Sequence, residues 1–429
     1  MDQAAFNQGL MAFIAASPTP FHAVAVLEQA LQDAGYQQLD EGAEWSLEKS
    51  GCYYVTRNDS SICAFSLAGK DLVSAGVRMV GAHTDSPCLK VKPQAEIIKK
   101  GYLQLGVEVY GGVLLNPWFD RDLSLAGRVS FEQPDGVLVH RLIDFRKPLA
   151  VIPSLAIHLD REVNTSRSIN AQTDLPPILL RCDDKKMDLR SLLKQQLLFQ
   201  YPDLAVSEVL DYELGFYDTQ PPAVVGLEQQ FIAAARLDNL LSCYAGLQSL
   251  LASKQQPCLL ICNDHEEIGS VSTSGAQGTL LRSVLERITG SDEHFSRVMD
   301  RSVFVSADNA HGVHPNFSSK HDEEHGPLIN NGPVIKVNSN QRYATNSVTS
   351  ALFRQCCQRS KVPVQSFVMR SDMACGSTIG PLTATKLGVR AVDVGVPTFA
   401  MHSIRELAGS DDGWYLHRAL SALFDSETV

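Results

Sequence analysis

Two adjacent carboxylates, Glu266 and Glu267, follow the apolar run Pro257-Cys258-Leu259-Leu260-Ile261, which reads as a buried strand. Neighbouring residues leaving a strand point in different directions, so one carboxylate can ligate a metal while the other faces a substrate as a general base. The same placement recurs elsewhere. His83-Thr84-Asp85 follow Val80-Gly81-Ala82, Asp308 follows Val303-Phe304-Val305, and Asp238 opens a helical pattern. His402 comes after Val396-Pro397-Thr398-Phe399-Ala400-Met401. Taken singly, each has a plainer reading: a Glu pair is usually a solvated turn, and an Asp at a helix start is usually an N-cap. Five such coincidences are rarer than one shared site.

Imidazole and carboxylate in this mixture suit a borderline-hard divalent ion such as zinc, manganese or cobalt. The five groups are too many for one catalytic zinc that keeps an open position, whereas two ions sharing a bridging carboxylate use them all. Asp85, two residues after His83, is placed to accept the second ring N–H and fix the tautomer. His321-Asp322-Glu323-Glu324-His325 also matches H-x-x-E-H, a motif that works only on a stable helix. Ser318-Ser319 and Gly326-Pro327 leave it about one turn. No serine-hydrolase elbow, Walker loop or dinucleotide fingerprint is present.

The elements that must hold these residues alternate from Leu237 onward. Helical patterns at Asp238 to Ala252, Gln277 to Ile288 and Thr345 to Gln358 are interleaved with strands at Cys258 to Cys262, Val303 to Ser306, Val364 to Val368 and Val389 to Val394. This implies βαβ units and an α/β fold whose mixed, largely parallel sheet is covered on both faces, with ligands bound outside the strands' carboxyl ends. Upstream, Thr19-Pro20 starts a helix that Gly35 stops, and strands follow at Cys52 to Thr56, Ile62 to Leu67 and Val77 to Gly81. From Pro93 to Pro222, alternating runs such as Tyr102 to Val107 and Gly136 to His140 are separated by turn residues and read as an antiparallel, β-rich insert. The polar stretch Gln172 to Gln196 and Gln220-Pro221-Pro222 read as linkers. The expected division is 1–92 plus 223–429 for one domain and 93–222 for the other.

A chain of 429 residues exceeds the usual size of a single core. Its net charge of -11 excludes non-specific nucleic-acid binding and leaves no basic stripe for phosphate. No run approaches a membrane span, the N-terminus lacks a secretory pattern, and ten cysteines without a C-x-x-C pair read as reduced, buried thiols. The expectation is a cytoplasmic protein with no nucleic-acid or membrane partner.

Gly81-Ala82-His83-Thr84-Asp85-Ser86-Pro87, Arg236-Leu237-Asp238-Asn239, Asp264-His265-Glu266-Glu267-Ile268-Gly269-Ser270, Ser306-Ala307-Asp308-Asn309-Ala310-His311 and Met401-His402-Ser403-Ile404-Arg405-Glu406 together resemble the M18 family of metallo-aminopeptidases, the aspartyl aminopeptidases. The resemblance covers essentially the whole chain. It implies a metallopeptidase domain formed by the two chain ends, interrupted by a dimerisation domain, with dimers assembling into a tetrahedral dodecamer. It also implies two metal ions, zinc first among them: His83, Asp238 and Asp308 bind one, and Asp238, Glu267 and His402 bind the other, with Asp238 bridging. Glu266 resembles the general base that deprotonates a metal-bridging water, and His311 matches a position near the substrate carbonyl. Lys336 matches the residue that meets an acidic N-terminal side chain, and His158 one contributed to a neighbouring subunit's active site. The implied substrates are peptides with a free N-terminus.

Each assignment has a plainer counterpart, since Lys336 lies in an apolar run where a lysine can snorkel to the surface. His158 suits an interface histidine equally well. Two further readings fit the motifs, a two-metal deacylase or carboxypeptidase and a non-catalytic assembly or cargo protein. Against the second, no ligand position has been lost.

Overall fold

A computed structural model describes residues 1–182 and 188–429. It divides into two compact units, one of residues 1–86, 222–401 and 406–429, the other of 87–221 with 402–405. No helix among the described residues is long and apolar enough to cross a membrane.

The first unit is built on a nine-stranded sheet in the order Gln37–Gln38, Cys52–Arg57, Ser61–Ser66, Cys258–Asn263, Arg78–His83, Val303–Ala307, Arg390–Gly395, Val334–Val337, Gln365–Val368. The four strands from Cys258–Asn263 to Arg390–Gly395 run parallel, and antiparallel pairings to Ser61–Ser66 and Val334–Val337 flank them. The sheet is therefore mixed and parallel at its centre, as the alternation of elements requires.

Strand periodicity accounts for the two cores. Cys258, Leu260 and Cys262 join the core shared with helices Gln3–Ala16, Pro20–Asp33, Leu237–Ala252, Ser347–Arg359 and Asp412–Phe424. Leu259 and Ile261, pointing the other way, join the core of helices Leu280–Thr289, Asp292–Asp300 and Ile379–Leu387. A strand buried on both faces must be apolar throughout, which is why Cys258–Asn263 shows no alternation. Each such Leu or Ile contributes about 1.5–3 kcal/mol.

The second unit carries a six-stranded sheet in the order Leu138–Asp144, Leu123–Glu132, Glu208–Asp218, Cys88–Lys99, Tyr102–Tyr110, Ile178–Arg181, with every pairing antiparallel. Helix Leu189–Gln200 contributes Leu189, Leu193 and Leu197, spaced four apart on one face, to the unit's core. Much of the polar stretch read as a linker is thus a strand and a helix, and its residues 183–187 lie outside the described residues. The first boundary falls at 86/87 rather than 92/93, because Cys88–Lys99 is one strand paired from Cys88↔Tyr110 to Lys99↔Tyr102. Residues 402–405 belong with this unit: Leu114 N–H donates to the His402 carbonyl at 3.1 Å, and Ile404 is buried in its core.

One buried group makes stability depend on pH. His417, 8% exposed, stacks on Phe6 with ring centroids 5.5 Å apart, and its Nδ1 lies 3.0 Å from Ser249 Oγ. Burial pushes it down to about 4. A histidine neutral in the fold but protonated when unfolded contributes stability above about pH 6.5 that is lost as pH falls toward 4. Between pH 7.5 and 5 the loss is about 2 kcal/mol. Urea midpoints at the two pH values should therefore fall further apart for the native chain than for His417→Gln; equal drops would exclude His417 as the source.

Candidate metal centre

The parallel strands deliver their last residues to one edge of the sheet. His83 ends Arg78–His83 in register with Asn263, the end of Cys258–Asn263, and Asp308 directly follows Val303–Ala307. Glu266 and Glu267 sit on the single turn Glu266–Ile268, bracketed by left-handed residues His265 (φ 61°) and Gly269 (φ 92°). Glycine takes that conformation freely, and His is among the side chains enriched there. Asp238 lies at the start of Leu237–Ala252 with non-helical φ −81° and ψ 105°.

These residues converge. The donor atoms of His83, Asp238 and Asp308 lie within 4.8 Å of one another, as do those of His83, Glu266 and Glu267. His83 Nε2 is 3.5 Å from both Asp238 Oδ1 and Asp308 Oδ1. Its Nδ1 faces Asp85, 3.0 Å from the main-chain carbonyl and 3.3 Å from Oδ1, so the ring hydrogen belongs on Nδ1 and the lone pair on Nε2. The nearer acceptor is thus the Asp85 carbonyl. The Asp85 carboxylate also accepts from the Glu266 and Glu267 backbone N–H groups, each at 3.1 Å. One buried aspartate therefore orients both the histidine and the glutamate turn.

Asp238 is held by its backbone. Its N–H donates to Glu406 Oε2 at 2.9 Å, its carbonyl accepts from Ser86 Oγ at 2.6 Å, and Asn239 Nδ2 donates to the Ala307 carbonyl at 2.8 Å. The Asp238–Asn239 peptide is cis. Glu406, only 2% exposed, has a role no motif spacing announces; the contact joins positions 168 residues apart.

The other expected residues fall as follows. Lys336 is 3% exposed, with Nζ 3.3 Å from Asp308 Oδ2, so it does not snorkel to the surface. His311 ends the short strand Ala310–His311, its ring 5.9 Å from that of Phe367. Protein packed around the ring, together with the Lys336 charge, lowers its pKa, although one side stays open to solvent. His402 is placed in the 402–405 segment of the second unit, where its Nδ1 is 3.0 Å from the Gly112 carbonyl, which puts the lone pair on Nε2. His158 is an exposed residue of the second unit. His321 to His325 form no helix, and His325 Nδ1 pairs with Asp322 Oδ1 at 2.7 Å.

The electrostatics fit a divalent cation. Burial pushes Glu266 up to about 8; His83 opposes this, and the charges of Asp308, Asp85 and Asp238 add to it. Burial acts to lower His83, but hydrogen bonding to Asp238, Asp308 and Asp85 outweighs it and holds the imidazole well above its usual range. Carboxylates crowded around one imidazole repel each other strongly, and nitrogen and oxygen donors in this ratio are what zinc or a similar ion accepts.

Comparison with known proteins agrees with this chemistry. The family model described as Aminopeptidase I zinc metalloprotease (M18) matches residues 13–424. "Probable M18 family aminopeptidase 2" of Pseudomonas fluorescens (strain SBW25) is 61% identical over 427 residues, covering 99% of this chain and 99% of that one. Among solved structures, the chain is similar to "Cryo-EM structure of the Ape4 and Nbr1 complex", with TM-score 0.95 and 39% identity, covering 99% of this chain and 86% of that one. It is also similar to "Structure of S. cerevesiae mApe1 dodecamer", with TM-score 0.85 and 28% identity over 98% and 96% of the two chains. A buried imidazole and carboxylate cluster at the carboxyl edge of the sheet, carried by a chain that matches the family almost end to end, makes this protein a member of the M18 aminopeptidases, a metallo-exopeptidase.

Proposed function

We propose that this aminopeptidase holds two divalent ions, zinc foremost with manganese or cobalt as alternatives, and removes acidic residues in preference from the free N-termini of peptides. The observation that carries the reading is the convergence of His83, Asp238, Asp308, Glu266 and Glu267 at one sheet edge. His83, Asp238 and Asp308 hold one ion; Asp238, Glu267 and His402 hold the other. When bound, such ions lower the pKa of water and polarise a scissile carbonyl.

The chain's own residues do the rest. Glu266 ionises near neutral pH once positive charge offsets its carboxylate neighbours; its carboxylate takes a proton from the attacking water and passes it to the departing amine nitrogen. His311 donates a hydrogen bond to the carbonyl oxygen as negative charge develops there. Asp85 keeps His83 and the glutamate turn in place, and the Lys336 ammonium receives the acidic side chain.

The second unit serves dimerisation, and His158 completes the site of a neighbouring subunit in a tetrahedral dodecamer; the similar structure described as a dodecamer supports homo-oligomerisation alone. Ten cysteines, read as reduced thiols, support a cytoplasmic location. The test of substrate class is kcat/KM on aspartyl, glutamyl, asparaginyl and leucyl peptides. Acidic substrates should lead by roughly a hundredfold, because only they offer an acceptor of opposite charge to the ammonium hydrogens that Asp308 does not take. Equal rates on asparaginyl and aspartyl peptides would refute the acidic preference.

A further inference from the structure

We propose that Lys336 couples recognition of an acidic side chain to metal affinity at the group formed by His83, Asp238 and Asp308. The inference rests on the reading that Lys336 receives that side chain.

Its basis is how the Asp308 carboxylate is divided. Oδ1 lies 3.5 Å from His83 Nε2, on the side of the ligand cluster, while Oδ2 lies 3.3 Å from Lys336 Nζ. Lys336 sits on Val334–Val337, which pairs with Arg390–Gly395 through Val334↔Gly395 and Ile335↔Val394. On another side Nζ stands 5.6 Å from the centre of the Tyr343 ring. An ammonium has three hydrogens, and Asp308 Oδ2 takes one, so a further carboxylate can be bound without breaking the existing pair.

The sign of the coupling follows from charge. A univalent cation about 5 Å from a divalent charge opposes its binding by on the order of a hundred-thousandfold at an effective dielectric of about 20. Losing an outer partner that orients a ligand costs roughly ten- to a hundredfold. Repulsion is the larger effect, so Lys336 weakens metal binding at this group. A substrate carboxylate that cancels the lysine charge restores it, and an uncharged side chain of the same size does not. Linkage makes the effect reciprocal: bound metal and acidic side chain favour one another.

Zinc affinity of the full-length protein, measured by chelator competition at fixed free zinc, tests this. The binding step at issue is the one that His83→Ala removes. L-aspartate should tighten that step about fivefold or more in the native chain, and L-asparagine, which offers the same amine and carboxylate, should change it less than about twofold. Lys336→Met should bind zinc roughly tenfold or more tightly with no amino acid present, and should ignore aspartate. Unchanged affinity in Lys336→Met, or equal effects of aspartate and asparagine, would overturn the coupling. Should Lys336→Met fail to fold, the two amino acids on the native chain decide alone. Failure of the acidic reading has a separate signature, equal kcat/KM on aspartyl and asparaginyl peptides.

Discussion

Glu266→Gln should lower kcat by roughly three orders of magnitude or more while leaving the fold and the bound metal in place. The amide has almost the shape of the carboxylate but cannot take a proton from water. The turn that presents residue 266 is held through its backbone, by the Glu266 and Glu267 N–H groups on Asp85, so the substitution leaves those bonds intact. Glu266 lies outside the residues proposed to hold the ions, and metal content should not change. In metal-free protein a second effect appears. A carboxyl raised to about 8 by burial contributes stability below its unfolded value of about 4.5 and loses it as pH rises toward 8. Relative to the native chain, metal-free Glu266→Gln should therefore gain thermal stability between pH 5 and pH 8. Turnover at the native rate would remove Glu266 as the base, and loss of metal would make it a ligand.

Asp238→Ala should lose both ions and, with them, all measurable hydrolysis. As the proposed bridge, Asp238 is the one side chain whose removal subtracts a donor from both sets, whereas His83→Ala should empty only one. The backbone at this position is anchored independently of the carboxylate, through Glu406 on the N–H and Ser86 on the carbonyl, and alanine keeps both contacts. Lost metal in a chain with native circular dichroism would then report ligation rather than unfolding. Two ions per chain in Asp238→Ala would contradict the bridging assignment.

Much of this was legible in the sequence because strand ends announce themselves. A run such as Cys258–Asn263 is apolar throughout, and polar residues directly after it mark where chemistry can sit on a parallel sheet. What remained hidden depends on contacts far apart in the chain. Helix Ile379–Leu387 contains Gly380 and Pro381 and has little periodic signal; packing against the core and the Thr378 cap give it its place. Helix Ser347–Arg359 begins later than expected because Asn346 caps it, accepting from the Val348 and Thr349 N–H groups. His402 reads as part of the closing α/β segment, yet its Nδ1 faces Gly112, 290 residues earlier, and the 402–405 segment belongs with the second unit. Lys336 follows Val334 and Ile335, a setting where a lysine can equally snorkel to the surface, and only the family resemblance singles it out from sequence; its 3% exposure and its pairing with Asp308 exclude the snorkelling alternative. Asp85 was placed from its spacing to His83, but its hold on the glutamate turn spans 181 residues and no local pattern encodes it.

In the proposed mechanism two ions act together at the His83, Asp238, Asp308, Glu267 and His402 donors. Metal content and aspartyl-peptide hydrolysis, measured on the same samples through chelation and stepwise re-addition of zinc, manganese or cobalt, test it most directly. Activity should vanish on chelation and return fully only as bound metal approaches about two ions per chain. Activity that survives chelation, or that is complete at one ion per chain, would contradict it.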